Sequence, residues 1–433
     1  MASTQLEDRF GSRAAGGCQR RAPAHGAAVG PARAGGSRLL TLDALRGIAV
    51  GLMIAWHASD GWLAEAHRTG LGWTAVRIAG GVAAPLFLFA AGAGVALGAR
   101  KGRGLALVVT RGLELVLLGH ALRLGQWAID RGAVVHLYTL PALIAGACFV
   151  GAALYALRRR RRLLTWLAIV LGTSHVALVL GLGPTLTRIV FRFDVLHCIG
   201  VSCIVCALAA RGAVRARGAW TPSLLLGIGA LALVLASAFL PSVLDTADGA
   251  LAWLARGREL RRVAPFPLLP WTGYAMLGCA AALAPRPSRR LVPVLALFSI
   301  VLAFVSFEGG FTFVRVALSE LPWVRPLARL TFQAGVAVAL ACALGYLASA
   351  RAGRALAIVG RASLAIYALH LFVTYGKLAR PIKRALDPLS CASLVLALIA
   401  LSAGCALLAS RRGAHERPPP AALSTSTSAK TSV

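Results

Sequence analysis

The sequence predicts an all-α fold, a polytopic transmembrane helical bundle of about 10–12 spans. Three observations carry that prediction. Hydrophobic residues make up 58% of the 433-residue chain and charged ones only 14%, against roughly 25% charged in a soluble domain. Mean hydropathy is +0.74. Apolar runs of bilayer-spanning length recur throughout, where porin-like strands would need short alternating segments.

The runs lie near 40–63, 75–99, 104–127, 134–157, 163–183, 194–210, 222–241, 267–284, 291–307, 331–350, 355–376 and 388–410. Together they define a transmembrane domain over 38–412. Residues 1–37, rich in Gly, Ala, Arg and Ser, lack the apolar core of a signal peptide and read as a disordered cytoplasmic leader. The low-complexity tail 413–433 reads as disordered too.

The net charge of +31 sits in short clusters between apolar runs, such as "ARKGR", "RRRRR" and "RPSRR". That is topology anchoring, so nucleic acid is not the expected partner; the lipid bilayer is. With the N-terminus in the cytoplasm, the basic loops fall mostly inside, which suits a multi-pass protein of the cell (inner) membrane. One outer loop, "KLARPIKRALD", departs from this rule. Cys203 and Cys206 lie within an apolar helix and read as packing residues. No H-x-x-x-H or H-E-x-x-H pair suggests a metal.

In that topology His57, His67, His120, His136, His175, His197 and His370 all fall at mid-depth or in the outer half. An outward-facing polar cavity follows. The first helix, "LTLDALRGIAVGLMIAWHASDGWL", keeps Asp43, Arg46, His57 and Asp60. At 100° per residue these four share an arc of about 100°, and Asp43 to Asp60 spans about 26 Å. Charges within a span are costly and survive by facing a cavity or a partner. Asp43 and Arg46 are spaced to pair near the inner surface, as a helix lock or a donor-site pair. His57 and Asp60 repeat the spacing near the outer surface. An imidazole held by a carboxylate is suited to general-base work.

Other helices carry further candidates. Ser363, Tyr367, His370 and Thr374 share one face, either a second cavity wall or a hydrogen-bonded seam. Asp194 and His197 open the sixth helix, where they position an acceptor or meet interfacial water. His120 and Arg123 sit at the outer end of the third helix. His136 and His175 read as structural. Trp271 belongs to an interfacial aromatic belt or to a sugar-stacking platform.

These motifs resemble the heparan-α-glucosaminide N-acetyltransferase catalytic family. "LDALRGIAVGLMIAWHASD" matches its opening helix at Asp43, Arg46, Gly47, His57 and Asp60, and departs from it at Trp56 and Ser59. "AAPLFLFAAG", with Pro85, Phe87, Phe89 and Gly92, is similar to its second helix. "FRFDVLHCIGVS" matches at Asp194, Leu196, His197 and Gly200, and "FPLLPWTGYAMLG" at Pro270, Trp271, Gly273 and Gly278. "GRASLAIYALHL" matches at Gly360, Ser363, Leu364, Tyr367 and His370.

The resemblance implies acyl transfer from a cytoplasmic thioester, acetyl-CoA in the named enzymes, to a sugar hydroxyl or amine outside. Acyl-CoA is then a co-substrate, no cofactor is tightly bound, and a glycan or other envelope molecule is the acceptor. It implies a catalytic histidine, at His57 with Asp60 and His370, or alternatively at His67. Asp43, Arg46, Asp194, His197, Trp271, Ser363 and Tyr367 are the implied donor- or substrate-binding residues. Whether His57 removes a proton or itself carries the acyl group stays open. The rival expectation is a His/Asp-lined membrane transporter.

Overall fold

The computed structural model describes residues 32–130, 139–159, 161–183, 189–244, 265–285, 324–347 and 350–415, with a few isolated positions between them. The predicted ninth span, 291–307, lies almost wholly outside the described residues, as do His136 and most of the leader and tail. Twelve helices are described: α1 (Ala32–Trp62), α2 (Gly70–Arg100), α3 (Leu105–Asp130), α4 (Leu140–Arg159), α5 (Arg162–Gly181) and α6 (Val195–Val214); then α7 (Thr221–Leu244), α8 (Leu268–Leu283), α9 (Val324–Leu347), α10 (Arg351–Arg361), α11 (Ser363–Tyr375) and α12 (Pro388–His415). Among the described residues there is no strand.

Eight of these helices are long and apolar enough to cross a bilayer, and the bent pair α10–α11 makes a ninth if taken as one span. Two shorter apolar helices, Thr221–Ser237 and Leu268–Leu283, fall below that length. The chain is an all-α polytopic bundle, as the apolar runs predict. One run is corrected. The single helix expected over 355–376 is two, bent by 70° around Ala362. The bend turns α11 so that Tyr367 reaches Asp194 and His370 reaches His57.

Helices in lipid associate through close packing rather than water exclusion, so small residues set where they touch. Among the described spans α2 is the most enclosed, 67% buried, against 17% for α3 and α5. α2 meets α8 where Gly92 faces the Ala275 carbonyl and Gly278 faces the Phe89 carbonyl; a Cβ at either glycine would strike backbone. Gly47 of α1 and Gly360 of α10 make a second such crossing, against Leu356 and Asp43. Tyr274 donates to the Gln333 carbonyl oxygen, and the Gln333 amide donates to Gly81 O at 2.7 Å, tying α8, α9 and α2 together.

The basic loop after α11 forms a short 3-10 turn, Lys377–Ile382. It is moored to the end of α1 by the Leu63–Leu386 bridge and by Arg384–Glu65 at 3.5 Å.

Candidate active site

α1, α2, α3, α6, α8 and α11 enclose one cavity of about 1340 Å³. Its lining runs along α2 from Arg77 to Gly98, about 32 Å at 1.5 Å per residue, close to the thickness of a hydrocarbon core. Chain direction sorts the two ends. Arg46, Gly98, Arg103 and Arg111 line one end, where α2 finishes and α3 begins. His57, Arg77, Arg123, Arg192, Asp194 and Tyr375 line the other. Trp56, Phe266 and Trp271 add aromatic walls at the His57 end.

The central contact joins residues far apart in the chain. His57 Nδ1 lies 2.8 Å from His370 Nε2, with the two rings parallel within 3°. His370 Nδ1 lies 3.0 Å from Ile366 O. A carbonyl only accepts, so His370 Nδ1 carries a proton. In neutral His370, Nε2 is then an acceptor, and His57 Nδ1–H donates to it. His57 Nε2 is left with a free lone pair. His370 is 1% exposed, whereas His57 is half-buried and faces the cavity. A backbone carbonyl thus fixes the tautomer of a sealed imidazole, which fixes that of the one able to meet substrate.

This geometry corrects the expected His57–Asp60 pair. The Asp60 carboxylate accepts from Arg68 at 3.4 Å and from the Tyr375 hydroxyl at 3.4 Å, and Arg68 also donates to the Asp60 carbonyl. Arg68 follows α1 in the loop and draws Asp60 toward itself. Asp60 reaches the site through Tyr375, whose ring lies 5.8 Å from that of His57. His67 is exposed on the 3-10 turn Glu65–His67 and does not line the cavity.

Asp194 and His197 divide in the same way. Asp194 caps α6, and its backbone N–H donates to His197 Nδ1 at 3.2 Å, closing a capping box. His197 packs on Gly119 and stays outside the cavity lining. The Asp194 carboxylate lines the cavity, held by Arg123 at 2.5 Å and the Tyr367 hydroxyl at 3.3 Å. Trp271, Ser363 and Tyr367 also line the cavity. Arg46 lines its other end, 3.2 Å from Asp43, which also lies 3.7 Å from Arg361.

The histidines do not share one cavity. His120 and His175 form a separate buried pair at 3.1 Å, anchored by Ala142 O at 2.8 Å from His175 Nδ1. Among the described residues, no group of three or more His, Cys, Asp or Glu side chains could hold a metal ion. Sequence reasoning missed Arg103, which sits in a basic loop that reads as a topology anchor, and the isolated Arg111 and Arg192. The available signal was Arg111, a charge inside the apolar span α3, where charges are costly.

The model of the family described as heparan-alpha-glucosaminide N-acetyltransferase, catalytic, matches residues 38–181 and 142–307. The chain belongs to that family. No curated protein and no solved structure matches it. The heparan-alpha-glucosaminide N-acetyltransferase catalytic match includes His57, Asp194 and Trp271 and ends before α10 and α11. Membership and the apolar helices together make this a multi-pass membrane protein of an acetyltransferase family.

Proposed function

We propose that the chain is an acyl-CoA-dependent acyltransferase of the cell membrane, with its N-terminus in the cytoplasm. Acetyl-CoA is the donor, entering at the Arg46 end, and a sugar hydroxyl or amine of the envelope is the acceptor, entering at the His57 end. The observation that supports this reading best is the single cavity that joins three guanidinium groups, Arg46, Arg103 and Arg111, to the free lone pair of His57. Guanidinium groups bind phosphates bidentately, which suits the nucleotide end of a CoA thioester.

In the proposed step, His57 Nε2 removes the proton from the acceptor as its oxygen or nitrogen attacks the thioester carbonyl. The C–O or C–N bond forms, the C–S bond breaks, and the leaving thiolate takes the proton back from His57. His370 is a positioning residue. It accepts the His57 Nδ1–H bond and so supports the transient imidazolium, with the Asp194 carboxylate in the same cavity. The bend between α10 and α11 is a feature that a carrier would also use, so the test must distinguish chemistry from transport.

Purified protein in lipid nanodiscs, given acetyl-CoA and glucosamine, is expected to release CoA thiol and form acetylated sugar. Arg103→Ala and Arg111→Ala are each expected to raise KM for acetyl-CoA about tenfold or more, the worth of one charge-assisted hydrogen bond of about 1.5 kcal/mol or more. Absence of thiol release with every acceptor offered, together with solute flux in vesicles, would favour the carrier.

A further inference from the structure

The half of the cavity around His57 holds more positive charge than proton transfer needs. Arg77, Arg123, Arg192 and Arg329 line it, against one lining acid, Asp194. Asp194 is already engaged by Arg123 and Tyr367. Asp60, the other acid at this end, is held by Arg68 and Tyr375. Among the described residues, Arg77, Arg192 and Arg329 enter no ion pair.

Arg77 and Arg329 are exposed, but Arg192 is half-buried. Its Nε is shut away from solvent with no hydrogen-bond partner, and so is that of Arg123. Arg123, Asp194, Tyr367 and Tyr375 line the same cavity. Among the described residues, Asp194 is the one acid that lines the cavity with Arg192, and it is paired with Arg123 instead. A cation withdrawn from water without a counter-ion is costly unless something else supplies the negative charge. The planar guanidinium fork fits carboxylate and phosphate oxygens in pairs.

We propose that Arg192 anchors an anion subsite in the acceptor chamber, so that the acceptor carries a carboxylate or phosphate group besides the group that is acylated. This rests on the reading of the His57 end as the acceptor chamber. Arg77 and Arg329 at the rim raise the local concentration of such a ligand. Arg192 lines the same cavity as His57 and as Tyr375, whose ring lies 5.8 Å from that of His57, so the acid group and the reacting group would share one chamber.

The test is a titration of the full chain in nanodiscs, read by the fluorescence of Trp56 and Trp271, with glucuronate, glucose 6-phosphate and glucose, and without acyl donor. One or both anionic sugars are expected to bind at least about tenfold tighter than glucose, the usual worth of a charge-assisted hydrogen bond. Arg192→Gln removes that preference, and Arg192→Lys keeps only part of it. Preference for glucuronate alone identifies a carboxylate, and for glucose 6-phosphate alone a phosphate ester. Equal affinity for all three sugars, or an undiminished preference in Arg192→Gln, overturns the proposal. If Arg192→Gln does not fold, an undiminished preference in Arg192→Lys does the same, because the ammonium lacks the fork. Anion preference without acetyl transfer would uphold the subsite and remove the acyltransferase reading.

Discussion

Replacing His370 with alanine removes the acceptor that His57 Nδ1–H has at 2.8 Å, the only one among the described residues. Two losses follow. Neutral His57 no longer favours the tautomer with its lone pair on Nε2, and the imidazolium loses a charge-assisted hydrogen bond of about 1.5–3 kcal/mol. At 1.36 kcal/mol per factor of ten, kcat for acyl transfer should fall about tenfold to 150-fold. His370→Gln offers an amide oxygen in place of Nε2 and should recover part of the rate. KM for acetyl-CoA should barely move, because Arg46, Arg103 and Arg111 are untouched. The assay is thiol release from acetyl-CoA by nanodisc-held protein, with a thermal melt of each variant beside it, since removing a side chain only 1% exposed also leaves a void. Wild-type kcat in a folded His370→Ala protein would refute the tautomer relay. Glutamine and alanine variants that are equally slow but equally stable would refute it as well.

Three further outcomes are expected. Gly360→Ala drives a Cβ into the backbone carbonyl of Asp43, so it should destabilise the fold by about 1–3 kcal/mol or more, seen as a lower melting temperature in detergent. Gly51→Ala, with open space at its Cβ, is the matched control and should change stability by less than about 1 kcal/mol. Asp387 caps α12 by accepting from Leu389 N at 2.9 Å and Ser390 N at 3.1 Å, and the Ser390 and Leu389 hydrogen bonds hold its carboxyl below the usual carboxylate range. Its contribution is therefore full above about pH 4 and fades as pH falls through the lowered value; the melting gap between wild type and Asp387→Ala should be open at pH 7 and close in acid.

Much of the scaffold was legible because lipid imposes simple rules. Apolar runs located α1 to α6 and α12, and the motif glycines Gly47, Gly92, Gly278 and Gly360 proved to be the places where helices cross at backbone distance. The stripe on α1 was legible as well, since 100° per residue puts Arg46 and His57 toward the same cavity. What periodicity could not supply was partner choice. His57 and Asp60 have the spacing of a local pair, yet His57 bonds a residue 313 positions away and Asp60 a loop arginine eight positions on. The break at Ala362 carries no proline, and the flanking Gly360 and Ser363 read as motif residues rather than as a helix end. Arg103 was hidden by the basic loop around it, and Arg111 and Arg192 by their lack of any motif. In a chain with 46 Lys and Arg, an arginine that lines a cavity looks like one that anchors a loop.

The role of His57 Nε2 as the base of an acyl transfer is tested most directly by the turnover of His57→Ala with acetyl-CoA and glucosamine, beside wild type in the same nanodiscs. General-base catalysis is worth about 10²–10⁴-fold, so a folded His57→Ala protein should lose at least about a hundredfold in kcat while keeping its affinity for acetyl-CoA. Turnover within a few-fold of wild type would contradict the assignment and move the chemistry away from the His57–His370 pair.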